Sequence, residues 1–245
     1  MISLVIFDFD GTLFDTHTSI EETTKLTFDS LLPSSPQPPA AEVRRLISSG
    51  AGLSDTFRAL HPDPAVFDEA SDNIDRWIAE YRRLYAQERS QSLIRPFPGA
   101  KELLSYLRHS LKVPVAIISN KGVQAVRDSL HANGLADYVP EDLIVGDKTP
   151  GATRKPDPGS FTDVLVPALR KAGYYGAEEV VDASKVLVVG DTVADIQFAR
   201  NIGADACWAR YGYGDRAKCE ELGPKVTVEE LIEVIGIIQG KEGES

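Results

Sequence analysis

Ile2-Ser3-Leu4-Val5-Ile6-Phe7-Asp8-Phe9-Asp10-Gly11-Thr12-Leu13 is the stretch whose reading decides the fold. A short apolar run ends in two carboxylates spaced i, i+2, and the chain then turns at Gly11. On an extended segment, side chains two apart point the same way, so Asp8 and Asp10 are expected to emerge together at the mouth of a buried strand. Two like charges held that close cannot both stay ionised cheaply: either a metal neutralises them, or one holds a proton. A metal-bound carboxylate beside a protonatable one is what nucleophilic transfer followed by hydrolysis requires. The same Asp-x-Asp-Gly also suits an ordinary turn at a strand end, so the rest of the chain has to decide.

Further apolar, β-rich runs recur at residues 113–118, 143–145, 186–189 and 204–209. Most are short, continuous and bounded by turn residues, the pattern of parallel strands buried on both faces. Helical patterns lie between them at 100–108, 123–133, 161–171 and 195–202. Strands alternating with helices predict an α/β fold built on a doubly wound parallel sheet.

Residues 15 to 92 break this rhythm and contain no comparable strand. Ile20, Thr24, Phe28 and Leu31 form one helical stripe, and Val43, Leu46 and Ile47 a second. Phe67, Ala70, Ile74, Trp77, Ile78, Tyr81, Leu84 and Tyr85 form a long third, with Trp77 and Tyr81 expected in its core. An all-α module is therefore expected over residues 16–92, inserted into a core domain made of residues 1–15 and 93–245. The proline-rich residues 33–39 read as an exposed connector, and residues 240–245 as a frayed tail.

The 245 residues carry 37 acidic against 26 basic side chains, a net charge of −11. That balance argues against a nucleic-acid or anionic-membrane partner, both of which need a basic face. It also means that a site for an anion must reverse the field locally with a cation. Cys207 and Cys219 show neither metal spacing nor a disulfide framework, which predicts a reduced, cytoplasmic setting. The first apolar run is broken at Asp8, too soon for a signal peptide or a membrane span, and no later run is long enough to cross a bilayer. The expected partner is a small molecule.

Three more segments carry chemistry. Ser119-Asn120-Lys121-Gly122 follows the second strand, where a hydroxyl and free backbone amides make an anion cradle. In Arg154-Lys155-Pro156-Asp157-Pro158 two prolines stiffen the chain and aim Lys155, whose ammonium suits phosphate oxygens and neighbouring carboxylates. Gly190-Asp191-Thr192-Val193-Ala194-Asp195 ends another strand, with Asp191 at its mouth and Asp195 one helical turn on. Hard oxygen donors clustered in this way suit Mg²⁺. Each segment has a plain alternative in isolation: helix capping by Ser119, Asn120, Asp191 or Thr192, a dipole-complementing Asp195, and a surface Lys155. Taken together, all four pieces fall at the carboxyl ends of strands in one sheet, where open α/β sheets bind ligands.

In this order the pieces resemble the four motifs of the haloacid dehalogenase superfamily: Asp8-Phe9-Asp10-Gly11-Thr12-Leu13, Ile118-Ser119-Asn120, Lys155-Pro156-Asp157-Pro158, and Gly190 through Asp195. Arg95-Pro96-Phe97-Pro98-Gly99 and Tyr211-Gly212-Tyr213-Gly214 fit the same pattern. The resemblance implies a Rossmann-like core with an α-helical cap, hinged near residues 14–16 and 93–96. Dehalogenases of the superfamily generally lack the second acid of the first motif; Asp10 is present here. The implied activity is that of a Mg²⁺-dependent phosphomonoester hydrolase of the phosphoglycolate phosphatase-like branch, working through an aspartyl-phosphate. A β-phosphoglucomutase-type phosphomutase and a catalytically silent binding protein on the same fold are the alternatives.

By the resemblance, Asp8 is the nucleophile. Asp10, kept protonated by its acidic neighbours, is the acid and base, with Thr12 orienting it and Gly11 allowing the turn. Mg²⁺ would be held by Asp8, the Asp10 backbone carbonyl and Asp191, with Asp195 a ligand or the holder of a bound water. Lys155 would compensate the anionic charge, and Ser119 with the Asn120 amide would hold the phosphoryl oxygens. Gly50, in Ile47-Ser48-Ser49-Gly50-Ala51-Gly52-Leu53, resembles the specificity loop of the cap. A monomer or homodimer is expected. The Tyr174-Tyr175-Gly176-Ala177 region is longer than the family pattern.

Overall fold

The computed structural model describes residues 1–67 and 73–240. Ala70 of the third expected stripe, and residues 241–245 of the expected frayed tail, lie outside the described residues. The chain divides into two compact units, one of residues 1–15 and 96–245, the other of residues 16–95.

In chain order the strands are β1 (Leu4–Phe7), β2 (Phe14–Asp15), β3 (Arg95–Pro96), β4 (Val115–Gly122), β5 (Ile144–Asp147), β6 (Val186–Gly190), β7 (Asp205–Ala209) and β8 (Val226–Val228). Six of them form one sheet in the order β5-β4-β1-β6-β7-β8, with every pairing parallel. The chain runs outward from β1 through β4 to β5, then returns to the other side of β1 as β6 and runs outward through β7 to β8. The sheet therefore changes direction around β1, which places the ligand crevice of an open α/β sheet at the carboxyl ends of β1 and its neighbours. Leu-Val-Ile-Phe in β1 and Val-Leu-Val-Val in β6 are buried throughout, as continuous aliphatic runs must be when helices cover both faces. Leu4, Ile6, Ala116, Ile118, Val186 and Val188 pack with Phe161, Leu165, Ile196 and Phe198 in one apolar cluster.

Two features of this sheet depart from the expectation. β4 runs on through Ser119-Asn120-Lys121-Gly122, with its register against β5 shifting between Ile118 and Gly122. Polar residues extend this strand because they line the sheet's mouth instead of its core. β8 was not anticipated, since a three-residue strand with one exposed position offers too short an apolar run. In the longer-than-expected region, Tyr175 packs against the apolar cluster, and its hydroxyl lies 3.2 Å from Ser3 Oγ.

The second unit contains the helices His17–Leu31, Ala40–Ser48, Leu53–Leu60, Asn73–Tyr85 and Glu88–Gln91. The third and fifth were not anticipated, the first of these lying directly after the glycine loop. Trp77 is its aromatic hub, with ring centroids 4.8 Å from Phe28, 5.2 Å from Phe57 and 5.8 Å from Phe67. Such tilted and edge-on rings bury large apolar area with favourable quadrupole contacts. The first helix is rotated relative to the expected stripe: Thr24 and Phe28 are buried, but Ile20 and Leu31 are only half-buried, and Ser19, Thr23 and Thr27 are fully buried instead. The hydroxyls make this affordable, because Thr23 and Thr27 donate to the carbonyls of Ser19 and Thr23, and Ser19 donates to Ser90 O. A buried hydroxyl so paired costs little. None of the described helices is long and apolar enough to cross a membrane.

Candidate active site

β1 and β6 run side by side with Phe7 opposite Val189, and the Asp8 amide extends the ladder by donating to Val189 O at 2.9 Å. Asp8 and Asp191 therefore leave neighbouring strands at the same level of the sheet. Lys155 comes from the loop before Ser160–Leu165, with a cis peptide bond to Pro156. Its ammonium lies 2.7 Å from Asp8 Oδ1 and 2.5 Å from Asp195 Oδ1, and its side chain is only 3% exposed. Burial pulls this ammonium down, and the Asp195 and Asp8 carboxylates outweigh burial and hold it well above the usual lysine value. Lys155 is thus a fixed positive charge inside an acidic cluster.

Asp191 is fully buried. Its Oδ1 accepts from Thr12 Oγ1 at 3.1 Å and its Oδ2 from the Tyr213 amide at 2.7 Å. The peptide oxygen of Asp191 accepts from Trp208 Nε1 at 3.0 Å. Gly11 has φ +77°, and a methyl group there would overlap the Asp191 carboxylate; Gly212 is under the same constraint from the other side. Glycine therefore serves here for close approach as much as for the turn. The expectation that Thr12 orients Asp10 is corrected: Thr12 is completely buried and donates to Asp191. The turn at Gly11 carries residue 12 away from the Asp10 carboxylate and under Asp191.

Asp195 has both oxygens engaged. Oδ2 accepts from the Thr192 amide at 2.9 Å and from its hydroxyl at 2.7 Å, closing a capping box at the start of Val193–Ile202, while Oδ1 faces Lys155. On the opposite flank, Asn120 grips the Lys155 backbone: Oδ1 accepts from its amide at 2.8 Å and Nδ2 donates to its carbonyl at 3.3 Å. Ser119 is 6% exposed, and its Oγ accepts from the Lys121 amide at 3.3 Å. Asn120 thus couples the second motif to the third, a link that no spacing within either motif reveals.

Asp10 differs from its expected setting. Its carboxylate meets the ammonium of Lys121 at 2.9 Å and 3.3 Å, in a pair whose side chains are 24% and 9% exposed. Acidic neighbours were expected around Asp10; β4 continues far enough to bring a cation alongside it as well. Lys121 is the residue that motif reading passed over, although Ser-Asn-Lys stood in plain sight.

Asp8, Asp191 and Asp195 each offer a carboxylate oxygen, all within 4.8 Å of one another. Burial first, then Asp195 and Asp10, push the Asp8 carboxyl up to about 6 against the pull of Lys155. Burial, Asp195 and Asp8 likewise hold Asp191 well above the ordinary carboxylate range. Asp8 Oδ1 is buried with its ion pair to Lys155 but no aligned hydrogen bond. Three buried carboxylates against one ammonium is a donor set that fits a hard divalent cation such as Mg²⁺. Gly50 belongs to the other unit, in the turn after Ala40–Ser48, with φ +67°.

The model of the family described as haloacid dehalogenase-like hydrolase matches residues 5–209. A phosphoglycolate phosphatase of Thiobacillus denitrificans is 30% identical over 238 residues, covering 95% of this chain and 93% of its own. One from Vibrio vulnificus is 25% identical over 242 residues, covering 97% and 96%. Among solved structures, a hydrolase of the haloacid dehalogenase-like family from Streptococcus pneumoniae superposes with a TM-score of 0.74 at 24% identity, over 97% of this chain and 99% of that one. A hydrolase from Pseudomonas syringae gives 0.72 at 23%, over 98% and 99%; at such identities these two speak for the fold alone. A family match over most of the chain, together with a relative 30% identical over 95% of it, makes this chain a member of the haloacid dehalogenase-like hydrolase family, in its phosphoglycolate phosphatase-like branch.

Proposed function

We propose that the enzyme hydrolyses the phosphomonoester of a small metabolite in two steps through an aspartyl-phosphate on Asp8. The observation that carries this reading is Asp8 itself: a buried carboxylate at the mouth of β1, with an ammonium at 2.7 Å and a second carboxylate two residues on. A carboxylate is a poor nucleophile toward a phosphate dianion because the charges repel, and Lys155 lessens that repulsion. An Asp8 oxygen attacks phosphorus while the bond to the ester oxygen breaks, and Asp10 gives the leaving alkoxide a proton. Asp10 then takes a proton from the water that attacks the phosphoenzyme, releasing inorganic phosphate and restoring Asp8. Such acid–base help is worth about 10²–10⁴-fold.

Ser119 and the Asn120 amide stand at the end of β4 where phosphoryl oxygens would be held, and Asn120 keeps Lys155 in place. Asp8, the Asp10 carbonyl and Asp191 would hold Mg²⁺, with Asp195 beside them; the ion supplies charge compensation and activates the phosphoryl group. Asp195 acts chiefly on Lys155, since both its oxygens are already engaged. The all-α unit would serve as a cap that excludes water, with Gly50 in its specificity loop. 2-Phosphoglycolate heads the list of substrates, on the strength of the relatives' names.

The test is a phosphomonoester panel with and without Mg²⁺, run on wild type and Asp8→Asn, with mass spectrometry of acid-quenched enzyme. Turnover by wild type, a phosphoryl adduct on the peptide holding Asp8, and loss of both in Asp8→Asn are expected. Near-normal turnover by Asp8→Asn would overturn the covalent route.

A further inference from the structure

The chain leaves the first unit after Asp15 and returns to it at Pro96. One loop of that unit, Tyr211-Gly212-Tyr213-Gly214 after β7, touches the chain beside both places. At the outgoing one, Tyr213 donates its hydroxyl to Asp15 Oδ1 at 2.6 Å, and Tyr211 donates its own to Thr12 O at 2.8 Å. At the returning one, the Tyr211 ring meets Phe97 edge-on with centroids 4.8 Å apart, and the Phe97 amide donates to Leu13 O at 2.9 Å.

The same four residues enclose Asp191. The Tyr213 amide donates to Asp191 Oδ2 at 2.7 Å. A methyl group at Gly212 would overlap the Asp191 side chain, and one at Gly214 would overlap its carbonyl oxygen. The loop backbone therefore lies against both the side chain and the peptide of this acid, at a range that glycine allows. Tyr213 carries one bond at each end: its amide holds the buried carboxylate, and its phenol holds the last residue before the chain departs. The ring between them has only two side-chain torsions, so it links the two bonds stiffly. A phenol donating to a carboxylate makes a charge-assisted bond, stronger than one between neutral groups.

We propose that Tyr213 is a positioning residue: by tying Asp15 to Asp191, it makes the orientation of the Asp191 carboxylate depend on where the chain leaves the first unit. Resting on the reading above, in which Asp191 helps to hold Mg²⁺, Tyr213 and Asp15 together raise the affinity for the ion without touching it.

The experiment uses wild type, Tyr213→Phe, Asp15→Ala and the double variant, each melted to establish that it is folded. Mg²⁺ binding is measured by calorimetric titration without substrate, and exchange of the Tyr213 amide hydrogen is followed by NMR in chelator. Each single variant should bind Mg²⁺ about threefold to tenfold more weakly. The double variant should lose no more than either single one, because both remove the same bond. In Asp15→Ala, which leaves Tyr213 itself intact, the Tyr213 amide should exchange several-fold faster. Unchanged Mg²⁺ affinity in both single variants, or losses that multiply in the double variant, would overturn the proposal. Unchanged exchange of the Tyr213 amide in Asp15→Ala would overturn it as well, whatever the Mg²⁺ result. A wild type that binds no Mg²⁺ would overturn the metal role of Asp191, and faster exchange in Asp15→Ala would then still uphold the link between Asp15 and Asp191.

Discussion

Replacing Lys155 by methionine removes the ammonium but keeps most of the stem that fills its place, so the change isolates charge. In the native protein that charge lies 2.7 Å from Asp8 Oδ1 and 2.5 Å from Asp195 Oδ1, with all three side chains buried. At an effective dielectric constant of about 20, each contact is worth about 6 kcal/mol before desolvation is counted. Once desolvation is included, removing one partner from a buried pair costs about 3–5 kcal/mol, because the remaining charge stays buried and uncompensated. Here two carboxylates would be left facing each other, and they can escape only by taking up a proton. Asp8 is already pushed up to about 6 with the lysine present, and without it should rise further. The destabilisation should therefore be full at about pH 7.5 and markedly smaller at about pH 5, where protonation relieves the pair. For a chain of this size, about 3–5 kcal/mol corresponds to a melting point lower by roughly 10 °C. The assay is a thermal melt of both proteins in chelator at the two pH values. A fall equivalent to less than about 1 kcal/mol at the higher pH, or an equal fall at both, would refute the picture of an ammonium compensating two buried acids.

The wild-type protein should show the same electrostatics in its own pH profile. Because the Asp8 carboxyl is raised from 3.8 to about 6 on folding, its contribution favours the fold at low pH and is lost as pH rises through about 6, by of order 3 kcal/mol. Glu21, held below its ordinary value by Lys25 and Arg44 against the effect of burial, contributes in the opposite sense. The measurement is therefore the difference in urea stability between wild type and Asp8→Asn across that range in chelator, and a difference that does not change with pH would refute it. Gly212→Ala should place a methyl group against the Asp191 side chain and the Gly11 carbonyl. A displaced Asp191 predicts a loss of about 10²-fold in kcat in a protein that still melts cooperatively; activity matching that of Gly122→Ala, where a methyl group meets nothing within 4 Å, would refute it.

The parallel sheet was legible because β1 and β6 are aliphatic runs that only a doubly covered sheet can use. The helices of the second unit were harder to read. Their buried face includes Ser19, Thr23 and Thr27, which apolar periodicity counts as solvent-facing. Those hydroxyls are paired with carbonyls one turn back and with Ser90, a residue 67 or more positions away. At the site, residue types and spacing gave the acid pairs, since two carboxylates at a strand mouth are a local property. The partners of those acids are not local. Thr12 meets Asp191 across 179 residues of sequence, and Lys121 meets Asp10 across 111. Both contacts depend on how far β4 extends and on which way the turn at Gly11 points, and a single sequence does not encode either in a form that spacing exposes.

Asp195 shows why motif reading should not force a choice between a capping residue and a site residue. Its position three residues after Thr192 is what a capping box requires, and the capping box is there. That alone would make the carboxylate a piece of helix chemistry. Yet the cap occupies only Oδ2, and fixing that oxygen against Thr192 aims Oδ1 at Lys155. The cap is therefore the means by which the second acid is positioned: the helix start sets the carboxylate, the carboxylate sets the ammonium, and the ammonium faces Asp8. Asn120 works from the other side in the same way, spending both ends of its amide on the Lys155 backbone. Local structure and site chemistry are here one set of bonds, because the two oxygens of one carboxylate serve both.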